Sequence, residues 1–270
     1  SFIALELIFE HRMYMPSMFL ILAIVAWGYR IVPGQVNGAR FALCALVLLL
    51  AFFTWQRNSV WQNEITLWTD VVEKSPGSLR GHANLGVAYN EAKKYDLAQQ
   101  FLVRAVAIGQ DDRSGNFSPA KRQKYLAKAH DSLGMIYREM KKYPQAIYEA
   151  NLALQLDPSR PDPLVTLGIV YARLDQHQRA YEYFKAAQAK GLTSIDLYNN
   201  WAVSSFNLGM VDQAITLLRY ALQLDPEHPE SHYNLGIAYS SKGMLEEAQR
   251  EMNAAMQLRK KALQGKQSRF

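Results

Sequence analysis

A period of 34 residues constrains the fold of this chain more than any other feature. Four consecutive blocks of 34 residues begin at Ala127, Pro161, Ile195 and Pro229, and an earlier block begins at Leu79. In all five blocks the eighth position is glycine or alanine, and the twentieth and twenty-seventh positions are alanine. A fixed period of this length is typical of repeat proteins, in which each unit buries its apolar face only against its neighbours.

The residue types within a block predict two helices joined by a short turn. Antiparallel helices approach closely only where the residues at their crossing lack bulk, which the repeated glycine and alanine positions provide. The dipeptides Asp157-Pro158 and Asp225-Pro226 end second helices, because proline cannot donate a hydrogen bond to the preceding turn. We therefore expect an all-α fold.

Three segments carry the repeat pattern most clearly: NLGVAYNEAKKYDLA, SLGMIYREMKKYPQA and NLGIAYSSKGMLEEA. They closely resemble the tetratricopeptide repeat (TPR) family. The resemblance implies a right-handed α-solenoid whose first helices line a concave groove that binds a protein or peptide. The predicted organisation from residue 60 onward is a capping helix at 60–78, repeats at 79–112, 127–160, 161–194, 195–228 and 229–262, an insert at 113–126, and a basic tail at 263–270.

Two apolar runs near the start predict a membrane segment over residues 1–59. There are 17 uncharged residues between Arg12 and Arg30, and 16 between Arg40 and Arg57. Each run would cover roughly 25 Å as a helix, and flanking arginines can reach the lipid headgroups. We interpret the pair as a transmembrane helical hairpin in contact with lipid; the alternative is two buried helices of a soluble domain.

The orientation of this hairpin follows from its connecting loop. The loop holds Arg30 and Arg40 without acidic residues, which favours a cytoplasmic loop by the positive-inside rule. The chain is then an integral membrane protein whose repeats lie on the non-cytoplasmic side, periplasmic or lumenal.

A short motif precedes the first apolar run. Residues 10–17, EHRMYMPS, resemble the E-x-R-x-Y-x-P-S stretch of the transmembrane and tetratricopeptide repeat-containing protein family, and residues 57–76 resemble that family's passage into its repeats. The resemblance implies a membrane glycosyltransferase of the C-type fold that uses a lipid-linked sugar donor, with Arg12 as a possible contact to the donor phosphate. The alternative is that these charges only end a helix at the membrane surface.

This resemblance leads to a functional prediction. The chain is expected to be a membrane-anchored TPR interaction module that recruits the acceptor for a protein O-glycosyltransferase. The family's catalytic acids are implied to lie in an early loop absent from this chain, so no catalytic residue is predicted within it and its enzymatic status is left open. The alternative function is a non-catalytic scaffold for a membrane or secretion complex.

Candidate peptide-binding residues lie on the predicted first helices. Asparagine can both donate to and accept from an extended peptide backbone, and the sixth position of each repeat is polar. The sixth positions are Asn84, Ser132, Thr166, Asn200 and Asn234. Helical spacing adds Asn90, Arg138, Glu139, Arg173, Asn199, Asn207 and Tyr233 to the same face. The alternative is that these groups only form hydrogen bonds between repeats.

Several other functions are disfavoured by composition. The net charge is +6, but residues 259–269 alone carry five basic residues and no acid, so the repeats are nearly neutral and no nucleic-acid-binding stripe is expected. A single cysteine, Cys44, forms neither a disulfide nor a thiolate metal site within one chain. Pro229 separates His228 from His232, so we expect no metal ion and no cofactor.

Overall fold

The computed structural model describes residues 45–50, 52–53, 55, 60–111 and 118–267, with side chains described up to residue 264. The chain divides into two compact units, residues 1–67 and 68–270. In the first unit, residues 45–50, 52–53 and 55 are helical. Several of their apolar side chains have half or more of their surface exposed to solvent.

The predicted membrane hairpin falls largely on residues outside this description. The first predicted span, residues 13–29, lies entirely outside it, and the second, residues 41–56, is described only in part. Among the described residues, no helix is both long and apolar enough to cross a membrane. The hairpin therefore stays a prediction.

Every element described from residue 64 onward is an α-helix, as the repeat pattern predicts. There are eleven of these helices within the described part of the chain, and from Leu79 they form five consecutive pairs. Their bounds are α1 Glu64–Lys74, α2 Leu79–Glu91, α3 Tyr95–Gln110, α4 Pro119–Glu139, α5 Tyr143–Leu156, α6 Asp162–Arg173, α7 His177–Ala189, α8 Ile195–Asn207, α9 Val211–Leu224, α10 Pro229–Ser241 and α11 Leu245–Gln267.

The turn within each pair has one backbone geometry. Its middle residue has a positive φ in all five pairs. The residue after the middle one donates its backbone N–H to the carbonyl of the residue four positions before the middle one, as Lys94 does to Tyr89 at 2.9 Å. This is the left-handed helix ending that satisfies carbonyls left free by the last turn. The five middle residues are Lys93 (φ 58°), Lys141 (φ 59°), Asp175 (φ 55°), Gly209 (φ 79°) and Gly243 (φ 77°).

The small residues lie where the paired helices cross. The alanines at positions twenty and twenty-seven are all buried, with at most 4% of their surface exposed. A Cβ added to Gly168 would lie 2.5 Å from Cε1 of Phe184, whereas a Cβ added to Gly134 would lie no nearer than 3.4 Å to the backbone oxygen of Ala146 and the backbone nitrogen of Ala150. The sequence-based prediction of close helix approach is therefore confirmed, and the closeness differs between repeats.

Helix α1 packs on the first helix of the array. Trp68 is buried, and the guanidinium carbon of Arg80 lies 5.8 Å from the centre of its ring. Cγ1 of Val71 lies 3.1 Å from the position that a Cβ on Gly81 would occupy. Residues 68–74 thus cover part of α2, which would otherwise expose apolar surface at the end of the stack.

The first helix of the second pair is longer than the others. Helix α4 has 21 residues and begins at Pro119, directly after Ser118 as its N-cap residue. In its added part, Leu126 contacts Gly109 of α3, and Nε2 of Gln123 donates to the backbone carbonyl of Leu156 at 2.7 Å. Residues 112–117 of the insert lie outside the described residues.

Candidate binding surface on the first helices

The first helices of the five pairs form one continuous surface. Helix α2 contacts α4, α4 contacts α6, α6 contacts α8, and α8 contacts α10. In the described residues, no two second helices approach each other to the same extent. Because the stack is closer together on the side of its first helices, this side is the inner, concave face of the array.

A cleft of about 250 Å³ opens on this face between α4, α6 and α8. This volume suits one or two side chains of a peptide more than a drug-sized molecule, whose pockets are roughly 300 to 1,000 Å³. Four of the candidates predicted from the sequence line this cleft, namely Arg138, Glu139, Arg173 and Asn200. The lining consists of Arg138, Glu139, Lys141, Tyr143, Ile169, Arg173, Asp196 and Asn200.

The charges in the cleft are not all neutralised by one another. Arg138 is held by Glu139, whose Oε1 accepts from Nη2 at 2.7 Å and from Nε at 3.0 Å. Lys141 and Arg173 are exposed, and among the described residues neither forms an ion pair. Asp196 is also exposed and forms no ion pair with the described residues, so the cleft keeps one net positive charge above the largely buried side chain of Ile169. This suits a peptide with both an acidic and an apolar side chain.

The predicted ladder at position six is interrupted in the structure. Thr166 is only 2% exposed and Ser132 only 8% exposed, so their side chains lie in the packing between repeats and not on an open surface. The reason is length: a hydroxyl one bond from Cβ stays below the surface that a longer amide can reach. Ser132 and Thr166 therefore do not line the groove as the sequence analysis expected.

The three asparagines at position six are partly exposed, and each already has a hydrogen bond. Oδ1 of Asn84 accepts from Lys128 at 3.2 Å. Nδ2 of Asn200 donates to the carbonyl of Asp196 at 2.7 Å, and Nδ2 of Asn234 donates to Oδ1 of Asn199 at 3.0 Å. Asn84 and Asn234 thus link neighbouring repeats. Asn200 lies in the cleft, and peptide binding by these asparagines stays a prediction.

The remaining candidates are dispersed over the array. Oδ1 of Asn90 is buried and has no hydrogen-bond partner in the described part of the chain. Nδ2 of Asn207 donates to the carbonyl of Val203 at 2.8 Å, and Tyr233 is 43% exposed with the guanidinium of Arg259 above its ring. Arg12, the predicted donor-phosphate contact, lies outside the described residues.

Sequence reasoning missed a buried ion pair near the cleft. Asp131 is 4% exposed, and its Oδ2 accepts from Nη2 of Arg160 at 2.9 Å. Burial raises the pKa of Asp131 to about 6, although the hydrogen bond and charge of Arg160 act in the opposite direction. The sequence signal for this ion pair was the acidic residue at position five of repeat two, where repeat three has valine.

Lys141, Tyr143 and Asp196 were also missed as cleft residues. Lys141 lies in the turn after α4, at the position with positive φ, and the candidates were sought on the first helices themselves. Asp196 lies in the first turn of α8, where an acidic residue is favourable to the helix dipole and therefore gave no functional signal. Only the juxtaposition of three repeats shows that these side chains share a site.

No group of three or more His, Cys, Asp or Glu side chains suited to a metal ion is found where the structure describes side chains.

The paired helices, the small residues at their crossings and the shared turn define a tetratricopeptide repeat protein.

Comparison with known families agrees with this class. A family model described as "Tetratricopeptide repeat" matches residues 229–261, and one described as "TPR repeat" matches residues 205–243. A model described as "Anaphase-promoting complex, cyclosome, subunit 3" matches residues 139–221. The chain thus contains TPR repeats.

Among curated proteins, the chain is similar to protein O-mannosyl-transferases named TMTC3. It is 30% identical to Tmtc3 of Drosophila melanogaster over 142 residues, covering 51% of this chain and 14% of that protein. It is 21% identical to TMTC3 of Homo sapiens over 257 residues, covering 93% of this chain and 28% of that protein. The chain therefore spans less than a third of the length of these relatives.

Solved structures share the fold. The TPR protein YrrB matches with a TM-score of 0.50 and 21% identity, covering 74% of this chain and 97% of that chain. PilF of Pseudomonas aeruginosa matches with a TM-score of 0.55 and 18% identity, covering 66% of this chain and 75% of that chain. These likenesses establish an all-helical TPR solenoid.

Proposed function

We propose that the repeats capture an extended peptide of an acceptor protein in the cleft between α4, α6 and α8. The observation that carries this proposal is the meeting of three first helices around two unpaired cations and a partly exposed asparagine. Asn200 can rotate its amide toward a peptide backbone, since its present bond is to its own helix. Lys141 and Arg173 would bind an acidic side chain of that peptide.

The purpose of this capture is proposed from the relatives. The similar TMTC3 proteins are protein O-mannosyl-transferases by name, and the chain matches only a part of their length. In this proposal the repeats belong to a membrane O-glycosyltransferase and hold its acceptor near the site of sugar transfer. A fixed acceptor raises the local concentration of the residue to be modified without any new catalytic group.

Membrane anchoring by the first unit is part of the same proposal. Large apolar side chains are exposed on its described helical residues, including Leu48 at 71%, Phe52 at 53% and Trp55 at 66%. Exposed apolar surface of this density is more often covered by lipid or protein than left in water. Together with the two apolar runs of the sequence, it supports an anchor in this proposal. The arginines of the loop between the runs favour repeats on the non-cytoplasmic side.

Peptide capture is tested by selection and substitution. A displayed library of random peptides is selected on the chain in detergent, and the affinity of an enriched peptide is measured by fluorescence anisotropy. Arg173→Ala and Asn200→Ala are each expected to weaken binding by about tenfold, which corresponds to about 1.4 kcal/mol.

The chain offers matched controls on second helices. Lys185 is an exposed cation on α7, and Asn151 on α5 forms the same bond to its own helix as Asn200 does, at 2.8 Å. Lys185→Ala and Asn151→Ala should leave the affinity unchanged. Equal losses in the two sets, or no peptide enriched over a naive library, would reject capture in the cleft.

Orientation is tested by thiol labelling in intact cells. Single cysteines replace Ser118, which is exposed at the start of α4, or Asn37 in the predicted loop, in a Cys44→Ala background. An impermeant thiol reagent should label the cysteine at position 118 and not that at 37. The opposite pattern would place the repeats in the cytoplasm and favour the non-catalytic scaffold.

A further inference from the structure

The cleft between α4, α6 and α8 carries its unpaired charges at two different ends. Lys141 follows the end of α4 and Arg173 is the last residue of α6, whereas Asp196 is the second residue of α8. Neighbouring first helices run in the same direction, because they are related by one repeat of the array. The two cations therefore lie toward one end of the cleft and the carboxylate of Asp196 toward the other.

Asp196 differs from the acidic residues at position two of the neighbouring repeats. In repeat three, Oδ2 of Asp162 lies 3.7 Å from Nη2 of Arg160. In repeat five, Oε2 of Glu230 lies 3.6 Å from Nε2 of His228. Asp196 is exposed and has no cationic partner within the part of the chain that the structure describes. Its negative charge is therefore available to a ligand.

The local structure of α8 does not require the carboxylate of Asp196 as a cap. Ser194 fills that role, since its Oγ accepts from the backbone N–H of Leu197 at 3.1 Å. An acidic residue in the first turn also interacts favourably with the helix dipole, and Glu230 of α10 shares this effect. The dipole accounts for the residue type and leaves the carboxylate free to contact a ligand.

Given peptide capture in this cleft, as proposed above, the geometry points to a peptide with an acidic and a basic side chain on either side of an apolar one. The acidic side chain binds Lys141 and Arg173, and the basic side chain binds Asp196. The apolar side chain between them rests on Ile169, which lines the cleft. A purely acidic peptide would leave Asp196 without a partner and close to a like charge.

The repeat positions limit the spacing of the two charges along the peptide. Arg173 occupies position thirteen of repeat three and Asp196 occupies position two of repeat four. These positions differ by eleven residues along the helix direction, or roughly 16 Å, which about five extended residues span. Because the long side chains bridge part of this distance, the acidic and basic residues lie within about five positions of each other.

Removing the charge of Asp196 distinguishes this ligand from a purely acidic one. A labelled peptide, selected on the full chain in detergent from a displayed library of random peptides, is titrated by fluorescence anisotropy with the parent chain and with Asp196→Asn. The affinity should fall by about threefold, as expected for the loss of one exposed ion pair. A purely acidic peptide would bind Asp196→Asn as tightly as the parent chain or more tightly, which would overturn the assignment.

A charge exchange between chain and peptide sharpens this test. Asp196→Lys should weaken binding by about tenfold, because it replaces an attraction by a repulsion. Changing the basic residue of the peptide to glutamate should restore binding to Asp196→Lys and should not restore binding to Arg173→Glu. Glu230→Lys is the matched control, since it has the same first-turn position outside the cleft, and it should leave the affinity unchanged. Thermal unfolding followed by circular dichroism checks that the variants stay folded.

The outcomes separate failure of this ligand from failure of peptide capture. If Arg173→Ala weakens binding while both variants of Asp196 do not, capture in the cleft stands and the basic side chain of the ligand is rejected. Equal losses in Asp196→Lys and Glu230→Lys would also reject it. If no peptide is enriched, or if neither Arg173→Ala nor the variants of Asp196 alter binding, capture in the cleft is rejected as well.

Discussion

Repeats two and three follow the same 34-residue pattern, but their interiors differ in chemistry. In repeat two, position five is the buried Asp131, paired with Arg160, and the helix crossing joins Gly134 to Ala150 with ordinary van der Waals spacing. In repeat three, position five is the apolar Val165, and the crossing places Phe184 directly on Gly168. The shared pattern thus fixes the backbone, while stability in repeat two depends on charge and in repeat three on shape.

The largest expected difference between repeats two and three is in how the stability of the fold depends on pH. Burial raises the pKa of Asp131 from 3.8 to about 6, so the folded chain binds this proton more tightly than the unfolded chain. The resulting stabilisation is complete below pH 3.8 and is lost as the pH rises through about 6, by about 3 kcal/mol in total.

Asp131→Asn is the variant that isolates this effect. The variant and the parent should unfold at similar denaturant concentrations at pH 4, and the variant should be more stable at pH 7.5. Arg160 keeps a carboxylate nearby in the variant, since Oδ2 of Asp162 lies 3.7 Å from its Nη2. A difference between the two proteins that does not change with pH would contradict the raised pKa.

The second difference concerns added volume at the crossings. Gly168→Ala should destabilise the fold by about 2 kcal/mol, because the ring of Phe184 must move. This value lies within the range of about 1 to 3 kcal/mol that overpacking of a core commonly costs. Gly134→Ala should be neutral or stabilise by about 0.5–1 kcal/mol through helix propensity. Thermal unfolding of both variants measures the two changes in stability. Equal changes in melting temperature would show that the two crossings do not differ.

Much of this fold could be predicted from the sequence, because the 34-residue period repeats the same small residues at every crossing. The helical pairs and the buried alanines follow from that pattern alone. The burial of Ser132 and Thr166 could not be predicted, since it depends on the distance between neighbouring repeats. The cleft was missed for the same reason: Lys141, Arg173 and Asp196 come from three different repeats.

The smallest expected difference lies in the turns. Lys141 in repeat two and Asp175 in repeat three both adopt positive φ, a conformation that side chains disfavour by about 1 kcal/mol. Lys141→Gly and Asp175→Gly should each stabilise the fold by up to about 1 kcal/mol. Only Lys141→Gly should also weaken peptide binding, because only that side chain lines the cleft. Binding losses in both variants would point to an effect of turn flexibility instead.

Hydrogen–deuterium exchange with a selected peptide bound tests the central claim most directly. Peptide capture in the cleft predicts slower exchange at residues 138–143 and 196–200, and unchanged exchange along the second helix at 177–189. Protection confined to second helices, or no protection with the peptide bound, would contradict binding on the first helices.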